Sequence, residues 1–141
     1  MADFFSGVEA AISGAMVGAV QSQSEWAGLK AQAAAGTLRM EPGVAEACAV
    51  ACQVAYQELN DHISEIRRAT RVDGMGTWKS GVRLAQKFSE KADGAANSNS
   101  AAGVLTLHQQ VLADMRDTFR AAGQAYAAAE RANVDAVRGA T

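Results

Sequence analysis

Catalytic chemistry has little to work with in this 141-residue chain. It contains two histidines, two cysteines, one proline and few aromatic residues (6%). The histidines, His62 and His108, lie in or beside helical apolar seams, where a lone imidazole serves packing more often than acid–base work. The serines have no nucleophile-elbow context, and no glycine-rich loop follows a strand pattern. Cys48, Cys52 and His62 are the only conceivable soft metal set, but they spread over four turns of one helix and cannot converge on one ion. No catalytic residue, cofactor or metal is therefore expected. Cys48 and Cys52 stand one turn apart, a poor geometry for a disulfide, and fit two small apolar core positions better.

Basic charge is also short. Lys and Arg number 13 against 15 Asp and Glu, giving a net charge of −2 and a pI near 5.6. That balance lacks the basic footprint of a nucleic-acid binder. Arg67, Arg68, Arg71, Lys79, Arg83, Lys87 and Lys91 do bias the middle of the chain. Without interleaved aromatics or a docking motif, they describe a solvated or salt-bridged face. The first 29 residues contain no Lys or Arg and carry Asp3 and Glu9. A Sec signal needs a basic start and a membrane span needs about twenty apolar residues, so neither is expected here. Membrane contact through a helix over residues 4–20 ranks last among the possible roles.

Alanine, glutamate, glutamine, leucine and arginine fill most of what remains, which favours an all-α chain. One domain's worth of length can bury a working core, although alanine removes little apolar area per residue. Modest stability, or help from a partner, follows. Helical periodicity divides the chain into segments near 4–35, 44–72, 79–93 and 101–138. Short connections between them predict an antiparallel helical hairpin or bundle of about four helices.

The first segment contains Gly14 and Gly18, a small-x-x-x-small pair against which a second helix can pack closely. Gly36 suits a C-cap, and Pro42-Gly43 closes the connection. Trp26-Ala27-Gly28 is a literal Trp-x-Gly inside helical sequence, without a breaker around it. The second segment has a seam of Cys48, Cys52, Ala55, Leu59, Ile63 and Ile66, with arginines in its last turn, where they suit the helix dipole. The third carries Gly81, Leu84, Phe88 and Ala92. After the cap-rich stretch 93–100, with Asn99 or Ser100 as N-cap, the fourth carries Leu105, His108, Leu112, Met115, Phe119, Ala122 and Tyr126 in near-heptad spacing. The expected core includes Ile12, Cys52, Leu59, Ile63, Ile66, Leu84, Phe88, Leu112, Met115 and Phe119. A turn centred near Gly74–Gly76 would bring Glu65 level with Arg83 to Lys87, and Glu58 level with Lys91.

Two features suggest recognition by another protein. Thr77-Trp78-Lys79-Ser80-Gly81 is a glycine-flanked break holding one of two tryptophans. Near the end of the fourth segment, Tyr126 and Glu130 stand four residues apart, on one helical face, among alanines.

From Thr37 onward the chain resembles the actinobacterial type VII (ESX) secretion substrates of the EspC-like kind, related to the small WxG helical-hairpin proteins. The likeness rests on Leu38-Arg-Met-Glu-Pro42, Gly76-Thr-Trp-Lys-Ser-Gly81, Leu84-Ala-Gln-Lys-Phe88 and Met115-Arg-Asp-Thr-Phe119-Arg-Ala-Ala-Gly-Gln-Ala-Tyr126. Glu130 stands where that family has the acid of its Tyr-x-x-x-Asp/Glu export signal. The resemblance covers roughly 105 of the 141 residues. Here Trp78 and Gly81 are one residue further apart than in Trp-x-Gly, and residues 1–36 are additional. The implied organisation is an extra N-terminal helix, 1–36, followed by a helical domain, 37–141.

The resemblance implies a non-enzymatic protein exported by a non-Sec route to the cell surface or beyond, after cytoplasmic synthesis. It also implies a secretion ATPase or chaperone as partner, and a helical partner protein or a second copy. Trp78 and Gly81 would serve hinge recognition, and Tyr126 and Glu130 the secretion signal. The alternative is a self-assembling structural protein, oligomer or filament, that uses its Ala/Gly seams and the Gly14/Gly18 face.

Overall fold

The computed structural model describes residues 2–94 and 99–140. It is all-helical, with α1 at Ala2–Ala34, α2 at Pro42–Arg68, α3 at Lys79–Asp93 and α4 at Ala101–Gly139. These follow the expected segments to within a few residues.

The helix ends have local causes. α1 stops at Gly36, whose φ of +77° is open to glycine at little cost. The Thr37 N–H then reaches the Gln32 carbonyl at 3.0 Å, and the Gly36 N–H reaches the Ala33 carbonyl at 3.1 Å, which is a Schellman closure. Glu41 starts α2. Its carboxylate accepts the backbone N–H groups of Gly43 and Val44 at 3.0 and 2.8 Å, with Pro42 in the first-turn position that needs no N–H. These two bonds hold the Glu41 carboxyl below its ordinary range. Ser100 caps α4, with its hydroxyl accepting the Gly103 N–H at 3.1 Å. Trp78 occupies the cap position of α3 and makes no side-chain capping bond.

The chain forms two compact units, each drawing on α1, α2 and α4. The second unit comprises residues 22–56 and 110–141. Within it α1 and α4 run parallel, since Gln23 bonds Gln110 and Lys30 bonds Asp114 and Asp117. α2 runs antiparallel to α4, since Glu46 meets Arg120 and Gln53 meets Arg116. Small residues let these backbones close. A Cβ at Gly123 would stand 2.9 Å from that of Ala45, and the Met40 N–H donates to the Ala122 carbonyl at 3.2 Å. Trp26 meets Phe119 edge-on at 5.6 Å between ring centroids.

The first unit comprises residues 1–21 and 57–109. Here Asn99 donates to the Ser13 hydroxyl, which ties the entry of α4 to α1. Beyond Arg68 the chain runs non-helically to Trp78, and this linker lies against α3. Ser89 bonds the Thr70 carbonyl, and Arg67 pairs with Asp93 at 3.4 Å. The expected meeting of Glu65 with Arg83 to Lys87 and of Glu58 with Lys91 is not the register found. Glu65 pairs with His62, and Lys91 with Glu9 of α1. A ten-residue linker in place of a tight turn shifts α3 along its partner by several residues.

The core differs in kind from the one expected. Cys52 and Ile63 are buried, but most other buried apolar positions are alanines: Ala19, Ala33, Ala45, Ala49, Ala102 and Ala122, with Val104 and Val111. Ile12, Leu59, Ile66, Leu84, Leu112, Met115 and Phe119 are half-buried, and Phe88 is exposed. α3 buries no residue completely. At close helix crossings only small side chains fit the contact line, so large ones flank it and keep one side in water. Both thiols are free, Cys48 half-buried and Cys52 buried, and burial pushes the Cys52 thiol up.

Candidate functional site

The long helix α4 outlasts its neighbours within the second unit. Ala121, Gln124 and Ala125 still line a cleft with the end of α1, and Gly123 and Ala127 another with the start of α2. From Glu130 through Ala140 every residue is exposed. Tyr126 and Glu130 stand where packing ends. Tyr126 is 37% exposed, and Glu130 is exposed one turn later. α4 is continuous through both, so phenol and carboxylate project from the same face. Alanines at 127, 128 and 129 leave that face low. Arg138 in the last turn suits the negative end of the helix dipole.

Two to three turns before Tyr126, α4 is held firmly. Arg116 donates to Gln53 at 2.7 Å and pairs with Asp117 at 2.9 Å, while Lys30 reaches both Asp114 and Asp117. Desolvation would raise the Asp117 carboxyl, but Arg116 and then Lys30 outweigh it and hold it below its ordinary range. The same two carboxylates raise Lys30. Arg120 meets Glu46 with two nitrogens, at 3.1 and 3.3 Å, and is raised by it. This network was not legible in the sequence. Its cross-helix partners lie 63 to 87 residues apart, and the parallel setting of α1 and the antiparallel setting of α2 against α4 bring them together.

Trp78 and Gly81 belong to the first unit. Trp78 is 82% exposed, ahead of the first turn of α3. Gly81 has a packing reason to be glycine. A Cβ there would come 2.1 Å from the Met75 carbonyl oxygen, so the linker can lie on α3 only if this side chain is missing. The two members of the sequence pair thus differ: the glycine closes the linker and the indole faces water. Tyr126 and Glu130 lie in the other unit, so each pair is defined within its own unit.

Gly14 and Gly18 are both exposed on α1, and nothing lies within 4 Å of where either Cβ would stand. Ala11, Ala15 and Val17 beside them are exposed too, and residues 10–24 carry no charge.

The cleft between the end of α1 and α4, about 500 Å³, is lined by alanines and Gly36, with Arg39 and Gln124 as its long polar side chains. Among the described residues, no three His, Cys, Asp or Glu side chains gather as a metal site requires. No described helix is long and apolar enough to cross a membrane. No protein-family model matches the chain, and neither a curated protein nor a solved structure is similar to it.

Proposed function

We propose that this protein is a non-enzymatic substrate or co-secreted factor of a type VII secretion system, acting through helix–helix contacts. The observation that carries the reading is the display of Tyr126 and Glu130. A phenol and an acid sit one turn apart on an intact helix, both reachable by a partner, at the point where α4 leaves its neighbours. A secretion ATPase or chaperone would grip such an arm without unfolding what lies behind it. The exposed Trp78 supplies a second contact for the same machinery. The support is the resemblance together with this accessibility, and the destination implied is the cell surface or medium by a non-Sec route.

Glu130→Ala removes an exposed side chain, and Tyr126→Ala one that is 37% exposed, so both variants should keep the wild-type circular dichroism, the tyrosine variant with a somewhat lower melting transition. In a host with a type VII system, each should remain in the cell pellet while the wild type accumulates in culture filtrate. Wild-type filtrate levels for both would remove the export role.

The open face of α1 favours a second reading, self-assembly through Ala/Gly seams. Gly14 and Gly18 leave a smooth, uncharged strip on which no helix of the same unit sits. Close helix approach through small residues is the packing such a strip allows. Light scattering should then give an oligomer's mass that Gly18→Leu reduces to a monomer's. A wild-type monomer at high concentration would dispose of this alternative.

A further inference from the structure

The linker–α3 apex carries charge of the opposite sign to the chain as a whole. Between Gly74 and Ser89 there are three cations, Lys79, Arg83 and Lys87, and no acid. Their spacing of four residues puts all three on one line of α3, and all three are exposed. The neighbouring line holds Trp78, 82% exposed, and Val82, 53% exposed. Met75, on the linker beside Gly81, adds a further exposed apolar side chain. Of the acids beside this stretch, Asp73 pairs with Arg71, Asp93 with Arg67, and Glu90, three residues beyond Lys87, accepts the Gln86 side-chain amide at 2.9 Å.

We infer that this apex is a docking surface for an anionic lipid bilayer, with Trp78 seated among the headgroups and Lys79, Arg83 and Lys87 against their charge. Indole rings favour the membrane–water boundary, and basic residues near an anionic leaflet gain from its surface potential. The form of the apex decides between a bilayer and an acidic protein. An indole with four-fifths of its surface in water is a protrusion, not the wall of a groove. A fluid interface needs no matching shape. It accepts a projecting ring and a row of long cations together. The surface shares Trp78 with the export reading, but that reading rests on Tyr126 and Glu130 and stands or falls by export alone.

The test uses the full-length chain and vesicles of neutral phosphatidylcholine, or of phosphatidylcholine with one quarter phosphatidylglycerol. Trp26→Phe keeps an aromatic ring against Phe119 and leaves Trp78 as the sole tryptophan, excited selectively at the red edge of its absorption. Its emission should shift to the blue on the anionic vesicles and stay unchanged on the neutral ones. Co-sedimentation of the wild-type chain gives the same comparison without any substitution. Trp78→Ala should weaken partitioning about tenfold or more. Neutralising one cation with Gln should weaken it about fivefold, and the Lys79→Gln/Arg83→Gln/Lys87→Gln triple variant on the order of a hundredfold. The proposal is overturned by equal binding to both vesicles, by no binding to either, or by undiminished binding of a normally helical triple variant. A chain that binds polyglutamate or single-stranded DNA but not the vesicles overturns it as well.

Discussion

The two compact units solve the same problem, holding long alanine-rich helices together, by different means. In the second unit, three helices approach along alanine and glycine lines, and polar side chains beside those lines reach across. Lys30 takes Asp114 and Asp117, Arg116 takes Gln53, Arg120 takes Glu46, and Trp26 rests on Phe119. In the first unit, α3 is held by a non-helical linker and by single ion pairs to α1 and α2, buries no residue completely and keeps Phe88 37% exposed. Close backbones make short-reach polar ties possible. Where the backbone spacing is set by a linker, apolar side chains remain in water and become available to something else. The ion pairs of the second unit are partly exposed, so water screens them and each adds little. Exclusion of side-chain volume from the alanine lines therefore decides its stability.

That contrast breaks first at Ala49, which is fully buried in the second unit. Ala49→Leu adds three carbons where the surrounding helices leave no room, and should lower unfolding free energy by about 3 kcal/mol. A denaturant titration with unchanged slope would show it. A loss under about 0.5 kcal/mol would mean that the alanine line is loose and that the polar ties set the spacing after all.

Much of the fold was legible because helix-forming composition, Gly36, Pro42 and the cap-rich stretch before Ala101 act locally, and local signals need no knowledge of neighbours. The seam of α2 was legible at Cys52 and Ile63 for the same reason. Phe88 was misplaced in the core because periodicity tells which residues share a face, not whether another helix covers it. The Glu65 and Glu58 pairings failed because register depends on the path of the linker through residues 69–78. Gly81 was singled out from the sequence as a recognition residue, and its closeness to the Met75 carbonyl is a tertiary fact that no spacing encodes. The accessibility of Tyr126 and Glu130 was equally beyond the pattern. It follows from α4 being 39 residues long and running on past the end of α1 and the start of α2.

A smaller effect sharpens the comparison from the side of the first unit. Alanine in a helix is preferred to glycine by up to about 1 kcal/mol, so Gly14→Ala, with open space around it, should stabilise the chain by a few tenths to about 1 kcal/mol. Gly81→Ala carries the same gain in helix propensity, but its methyl would stand 2.1 Å from the Met75 carbonyl oxygen, a backbone atom that cannot turn aside. The linker must lift, so the net effect should be a loss of about 1–2 kcal/mol, felt chiefly by α3. Native-state hydrogen exchange reads this directly: amides of α3 should lose protection in Gly81→Ala while those near Ala49 keep theirs. Equal loss in both places would show that the first unit does not open by itself. Unchanged protection in α3 would show that the linker gives way freely and that Gly81 is not what fixes Trp78 at the apex.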